Sequence, residues 1–284
     1  MASNRTRLML KTVAATLAAA ALLGVLGGWL VLKSGRYHIG ATNQHWQFVH
    51  TLLEQGMRQS VRHYARNVPP EPLLGEAARI GRGAAVYRDH CLQCHGAPGV
   101  PQADFGKAMQ PVPGPLVDAP SRWKARELYW ITRNGIKMSG MPAWEFHLED
   151  DDIWSVVAFM QHLPTLSAPA FAALASAQPA SGLRLGKATR LQGDPKRGKV
   201  ALTQYACNAC HMIPGVTGSD VYVGRSLEGL AARKYIAGTL PNTQANLMHW
   251  IREPHQVDPQ SAMPVQGVTE QDALDISAYL LTAR

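Results

Sequence analysis

The sequence predicts an all-α protein with an N-terminal transmembrane helix followed by two similar helical domains. Three observations predict this class. Residues 13–32 carry no charge, one short cysteine motif occurs twice, at Cys91 and at Cys207, and apolar residues elsewhere recur at steps of three and four. The chain has 284 residues, which at roughly 150 residues per domain is enough for two ordinary domains.

Composition and charge exclude several classes of protein. Hydrophobic residues make up 46% of the chain and charged residues 17%, so a disordered polyelectrolyte is excluded. The net charge is +8, and residues 1–68 contain eight Lys and Arg against one acid. Because this basic excess flanks the apolar stretch rather than a folded face, it favours a membrane surface over nucleic acid as partner.

Residues 1–33 are predicted to be the membrane anchor. The 20 uncharged residues 13–32 are long enough to cross the hydrocarbon core as a helix, and Trp29 near the far end is typical of an interface anchor. A cleaved signal peptide is the alternative. The apolar stretch is longer than the usual signal core of about 7–15 residues, and no A-x-A-like cleavage site follows it, which favours an uncleaved anchor.

Residues 34–75 are predicted to be an amphipathic juxtamembrane segment. Apolar residues between 43 and 67 recur at helical spacing, namely Trp46, Val49, Leu53, Met57, Val61 and Tyr64. Their face either packs on the first domain or lies in the lipid interface. Four histidines are also clustered here, so a metal site is a further alternative: His38, His45, His50 and His63.

The repeated motif is the strongest functional signal in the chain. Cys91, Cys94 and His95 form the first C-x-x-C-H, and Cys207, Cys210 and His211 form the second. This is the attachment sequence of c-type haem: two thiols on one helical turn form thioethers to the haem vinyl groups, and the adjacent His ligates iron. Zinc is the competing hypothesis, but the two cysteine pairs are 113 residues apart, against roughly 12–20 in zinc sites. Two covalently attached haem c groups are therefore expected.

Each haem needs a second axial ligand unless its site is open, and Met is the usual ligand in electron carriers. Met141 lies 46 residues after His95, and Met263 lies 52 after His211. Both precede a proline, which restricts the loop that presents them. Met138 is the alternative to Met141.

Further features repeat in both halves. Gly83 with Tyr87, and Gly198 with Leu202, lie four apart before each motif, and one extra residue precedes the second motif. The carbonyls of Pro98 and Pro214, each three residues after the motif His, are expected to accept the proton of that His ring.

Closing helices are predicted to follow each Met-Pro. The first begins at the run of aspartates from Asp150, and the second begins at Thr269. These helices define domains at 76–165 and 193–284. The Ala-, Ser-, Pro- and Gly-rich residues 166–192 are a predicted linker with at most one short helix.

With these motifs the chain resembles class I cytochromes c over both domains. Residues 229–269 are further similar to the cytochrome c domain fused to subunit II of some bacterial haem-copper oxidases, in which the equivalents of Trp250 and Pro254 shape the loop that delivers the axial Met. The chain lacks copper-site cysteines and a transmembrane hairpin, so this resemblance is limited to the haem domain. The first domain, through residues 135–144, is similar to single-haem cytochromes and to cytochrome subunits of periplasmic dehydrogenases and oxidases.

The resemblance implies electron transfer near a terminal oxidase, with an upstream quinol- or dehydrogenase-linked donor. It also implies a single-pass protein of the inner membrane with its haem domains in the periplasm, where the resembling families attach haem. The chain is expected to be an electron carrier rather than an enzyme. The alternatives are a permanently bound subunit of an oxidase or dehydrogenase complex and a dihaem peroxidase, which would need one open iron position.

Overall fold

The computed structural model describes residues 4–177, 192–218, 220–221 and 223–283. The described residues are mostly helical, which confirms the all-α class. The helices are α1 Asn4–Ser34, α2 Gln47–Tyr64, α3 Ala77–His90, α4 Leu92–His95, α5 Asp104–Lys107, α6 Ala119–Arg122, α7 Ala125–Asn134, α8 Asp150–His162, α9 Ala168–Ser176, α10 Pro195–Gln204, α11 Gln244–Arg252, α12 Pro254–Val257 and α13 Glu270–Thr282. The strands are β1 Tyr235–Ile236 and β2 Leu240–Pro241, paired antiparallel, and short 3₁₀ turns lie at Ala65–Asn67, Leu163–Thr165, Cys207–Ala209 and Leu230–Ala232.

Backbone contacts divide the chain into two compact units. The first contains the described residues up to Ala143 and residues 154–177, which include the first part of the predicted linker. The second contains Trp144–Ile153 and the described residues from 192 onward. The predicted boundaries at 76–165 and 193–284 stay predictions. Residues 178–191 of the predicted linker lie outside the described residues.

Helix α1 is one continuous helix of 31 residues, longer than the predicted 20-residue span at both ends. By length and composition it could cross a membrane, and all of its side chains are exposed. Thr12 and Thr16 do not leave their hydroxyls unpaired in this apolar helix. Thr12 donates to the Leu8 carbonyl at 3.1 Å, and Thr16 donates to the Thr12 carbonyl at 2.9 Å.

The C-terminal half of α2 packs on the first domain. Val61 is buried, and the ring of Tyr64 stacks on Trp130 of α7 with centroids 5.8 Å apart. The guanidinium of Arg58 lies over the Trp123 ring at 5.7 Å. Packing on the first domain is therefore confirmed for this half of the helix, whereas the N-terminal half keeps its large apolar side chains exposed.

In the first domain, α3 crosses the closing helix α8 with backbone against backbone. A Cβ on Gly83 would lie 1.9 Å from the Ser155 carbonyl oxygen and 2.8 Å from the Phe159 Cβ, so only glycine fits. One turn later the buried rings of Tyr87 and Phe159 meet at 5.0 Å. The Tyr87 hydroxyl donates to the Gly96 carbonyl at 2.6 Å and so ties the crossing to the residue after the first motif.

The second domain repeats this crossing between α10 and α13. A Cβ on Gly198 would lie 2.0 Å from the Asp275 carbonyl oxygen. The Asp275 side chain is fully buried, and it accepts from the Asp194 amide at 2.8 Å and from the Arg197 Nε at 2.9 Å. Paired in this way, the buried carboxylate avoids most of the cost of losing water. The hydroxyl of Tyr279 donates to a carbonyl just after the second motif, as Tyr87 does in the first domain.

Helix α13 begins as predicted, with the Thr269 hydroxyl accepting from the Asp272 amide at 3.1 Å. The described part of the predicted linker contains the short helix α9, which packs on α3 of the first domain. Phe171 and Ala175 of α9 are buried there, and Arg88 of α3 donates to the Ala175 carbonyl. The first part of the predicted linker therefore contributes to the first domain's core.

We predict that Gly83→Ala lowers the free energy of unfolding of the first domain by about 1–3 kcal/mol, because the new methyl group would overlap the Ser155 carbonyl. Gly56→Ala in α2 is the matched control, since nothing lies within 4 Å of the added Cβ. The control should stabilise by roughly 0.5–1 kcal/mol, the helix preference of Ala over Gly. Urea unfolding followed by circular dichroism measures both. Equal stability of the two variants would contradict the close crossing.

Candidate haem sites

The first cysteine pair lies directly at the end of α3. Cys91 caps that helix, and the rest of the motif forms the one-turn helix α4. The amides of Cys94 and His95 donate to the Cys91 carbonyl at 3.1 and 3.0 Å. This turn places both thiols and the imidazole on one short, hydrogen-bonded segment.

The second pair forms the same turn despite one extra residue. Ala206 adopts a left-handed conformation with φ 54°, which absorbs the insertion between α10 and the motif. The amides of Cys210 and His211 then donate to the Cys207 carbonyl at 3.2 and 3.0 Å. The two motifs therefore have matching backbone hydrogen bonds although the helices before them end differently.

None of the four cysteines forms a disulfide, so all are available for attachment. Burial raises the pKa of the Cys91 thiol to about 12 and that of Cys207 to about 11, because a buried thiolate loses its hydration. A thioether carries no charge in any state. Surroundings that disfavour a thiolate are therefore compatible with a thioether, because a neutral sulfur loses little on burial.

The imidazoles are oriented by backbone carbonyls. The Nδ1 of His95 lies 2.7 Å from the Gly114 carbonyl oxygen, and the Nδ1 of His211 lies 2.8 Å from that of Arg225. A carbonyl only accepts, so Nδ1 carries the proton and Nε2 is left as the metal ligand. Burial lowers the pKa of His95, partly offset by its bond to Gly114, which favours the neutral ligand form.

The predicted acceptors Pro98 and Pro214 were wrong. Pro98 lies at the tip of a tight turn closed by two hydrogen bonds between Ala97 and Val100, each 2.9 Å. The Pro214 carbonyl accepts the Tyr279 hydroxyl at 2.6 Å instead. The carbonyls that accept from the imidazoles belong to Gly114 and Arg225, which lie 19 and 14 residues after their histidines.

The surroundings of His95 fit a bulky, largely apolar group. A cavity of about 480 Å³ opens beside His95. Besides His95 it is lined by Gly96, Ala97, Pro98, Val100, Pro101, Gln102, Pro115, Leu116, Val117 and Leu163. In the second domain the backbone approaches the ring itself, since a Cβ on Gly224 would lie 2.3 Å from the His211 Cε1.

Both Met-Pro loops share a hydrogen bond that the sequence analysis missed. The Met141 amide donates to the Ser139 hydroxyl at 3.2 Å, and the Met263 amide donates to the Ser261 hydroxyl at 3.1 Å. The signal was present in the sequence, because Ser-x-Met-Pro occurs in both halves. Each serine braces the backbone of the residue whose sulfur is the expected ligand.

The alternative methionine differs from Met141 in exposure. Met138 is 97% exposed and has φ 58°, whereas Met141 is partly buried. The Met141 carbonyl also accepts from the Ile136 amide at 3.2 Å, which holds this loop against the end of α7. These observations support Met141 over Met138.

The loop that presents Met263 comes after Trp250 and Pro254, the two residues that the resemblance to oxidase subunit II singles out. Trp250 of α11 packs against the core of the second domain, and buried Pro254 begins α12. The Ser261 carbonyl lies 3.1 Å from the His255 Nε2. Met263 is partly buried and lies in the same unit as its motif, as Met141 does in the first.

The four juxtamembrane histidines do not form a metal centre in the part of the chain that the structure describes, where no three His, Cys, Asp or Glu side chains come together as ligands. His45 instead pairs with the Tyr37 hydroxyl at 2.6 Å, and His38 accepts from the Gly40 amide at 3.0 Å.

Two families match the chain. Residues 78–160 match the family described as cytochrome c oxidase, cbb3-type, subunit III, and residues 195–284 match the family described as cytochrome c. The chain therefore contains two cytochrome c domains. Such domains bind haem c and transfer electrons, and the residues placed above fit that group.

One curated relative is the cytochrome c oxidase subunit 2 of Alkalihalophilus pseudofirmus. It is 31% identical over 85 residues, which cover 30% of this chain and 24% of that protein. The chain thus spans about a quarter of the length of the relative it matches. The likeness concerns one part of each protein.

Proposed function

We propose that this protein is a membrane-anchored dihaem cytochrome c that carries electrons between a respiratory donor and a terminal oxidase. The observation that supports this most strongly is the repeated site: in each domain, one helical turn holds the two thiols and a carbonyl-oriented His, and a serine-braced loop presents a Met. With two such sites on one chain, one haem can receive electrons from the donor and the other can pass them to the oxidase.

In the first domain Cys91 and Cys94 would hold haem through thioethers, and His95 and Met141 would ligate its iron. In the second domain Cys207 and Cys210 would form the thioethers. His211 and Met263 would be the iron ligands there. When bound, the iron supplies a one-electron redox change. The chain's own residues fix both imidazole tautomers through the carbonyls of Gly114 and Arg225. In the first domain they also line a largely apolar cavity beside His95.

The proposed location is the inner membrane. Helix α1 crosses the membrane once, and the residues after it lie in the periplasm. The apolar length of α1 supports this anchor, and the resembling families attach haem on that side. A permanently bound oxidase subunit is the second candidate. Both the matched cbb3-type family and the subunit 2 relative favour it, and co-purification of a partner in mild detergent distinguishes the two.

We predict that Met141→Ala and Met263→Ala each remove one Met–iron bond. Each variant should halve the weak near-infrared absorption of Met-ligated ferric haem and lower the reduction potential of one haem only, because Met ligation raises the potential. Met138→Ala is the matched control and should change neither property. The assignment in the first domain is wrong if Met138→Ala halves the absorption while Met141→Ala leaves it intact.

The hydroxyls of Ser139 and Ser261, which accept from the Met amides, give a second prediction about the same loops. Ser139→Ala and Ser261→Ala each lose the hydrogen bond from a Met amide, worth about 0.5–1.5 kcal/mol. Ser139→Ala also loses the bond that its hydroxyl donates to the Ile136 carbonyl at 2.8 Å. Added imidazole should therefore displace the Met roughly 2- to 10-fold more readily in the altered domain. Ser139→Thr and Ser261→Thr keep the hydroxyl and should titrate like the parent protein. Unchanged imidazole binding in the alanine variants would show that the serines do not hold the loops.

The electron-transfer role is tested in membranes that contain the full chain. After anaerobic reduction by the respiratory donor, a pulse of oxygen should reoxidise both haems. Cyanide, which blocks haem-copper oxidases, should prevent this. Haems that stay reduced in oxygen, or that reoxidise equally fast with cyanide, would contradict delivery of electrons to such an oxidase.

A further inference from the structure

An exposed apolar surface lies at the N-terminal end of α2. We call it the juxtamembrane apolar face, and it consists of Trp46, Phe48, Val49, Leu52 and Leu53. Four of these side chains are largely exposed: Trp46 at 53%, Phe48 at 65%, Leu52 at 67% and Leu53 at 58%. Large apolar side chains clustered in this way mark an interaction site.

The helical arrangement separates this face from polar residues. At about 100° per residue, Phe48, Val49, Leu52 and Leu53 occupy an arc of roughly 140°. Trp46 directly precedes the helix as its N-cap residue. The opposite arc of the same two turns is polar throughout: Gln47, His50, Thr51, Glu54 and Gln55. The N-terminal half of α2 is therefore amphipathic, with an apolar side wider than the one predicted from Trp46, Val49 and Leu53 alone.

The protein's own first domain does not cover this face. Packing on α7 begins with the second half of the helix, where Val61 is buried and Tyr64 stacks on Trp130. At the other end the aromatic rings cluster among themselves. Trp46 contacts Tyr37 edge-on at 5.4 Å and Phe48 at 5.9 Å. Trp and Tyr in such positions are typical of the membrane–water interface.

The tether to α1 indicates what covers the face. Helix α1 ends at Ser34, twelve residues before Trp46. A chain of that length spans at most about 40 Å when fully extended, so the face stays close to the surface of any membrane that α1 crosses. Lys33 and Arg36, both exposed, add positive charge beside it, which attracts anionic headgroups.

We propose that the juxtamembrane apolar face lies in the lipid headgroup region of the membrane that α1 crosses. This inference rests on the proposed anchor. Because the second half of α2 is packed on the first domain, a face held in lipid fixes the orientation of the first haem domain over the bilayer. Encounters with a membrane-embedded redox partner are then restricted to a limited set of orientations.

The test uses the full chain in native membranes with the photo-crosslinking residue p-benzoylphenylalanine at single positions. Leu52 reports the apolar face, and Gln47 on the polar arc of the same helix is the matched control. Leu22 of α1, 69% exposed, reports the anchor itself. Mass spectrometry identifies the adducts, and circular dichroism confirms that each variant folds.

Lipid adducts at Leu52, several-fold more abundant than at Gln47 and accompanied by lipid adducts at Leu22, are the expected result. Protein adducts at Leu52 would overturn the inference by showing that a partner protein covers the face. Equal adducts at Leu52 and Gln47, with lipid at Leu22, would overturn it while leaving the anchor intact. Absence of lipid at Leu22 would reject the anchor, and the inference with it.

Discussion

Each domain is organised around one contact in which the first helix crosses the last with no side chain between them. The Gly83 backbone lies against the Ser155 carbonyl, and the Gly198 backbone lies against that of Asp275. A methyl group has no room at either crossing. Because each cysteine motif begins within three residues of the end of the crossing helix, the crossing sets where and in which direction the thiols are presented.

The two domains reach the same site by different local means. In both domains a tyrosine hydroxyl on one of the crossing helices donates to a carbonyl just after the cysteine motif. Tyr87 lies on the first of the two crossing helices, whereas Tyr279 lies on the second. The left-handed residue Ala206 absorbs an insertion that the first domain lacks. What is common to both is that main-chain groups form matching hydrogen bonds at the cysteine motif, the imidazole and the Met loop.

Features encoded by neighbouring residues were predictable from sequence, and features that depend on returning loops were not. The cysteine motifs and the start of α13 at Thr269 are local patterns. The carbonyls that orient the imidazoles, of Gly114 and Arg225, lie 19 and 14 residues beyond their histidines, and no side-chain pattern marks a backbone acceptor. Periodicity likewise predicted α2 as amphipathic, but only its neighbour α7 decides which half is buried.

The central claim is that each of the two crossings supports its own covalently bound haem. Pyridine haemochrome analysis of the purified chain, after acid-acetone extraction of loosely held haem, tests this most directly. The account predicts two haems c per chain, and one in a variant with both Cys91 and Cys94 replaced by Ala. One haem or none in the unaltered chain, or an unchanged count in that variant, would contradict it.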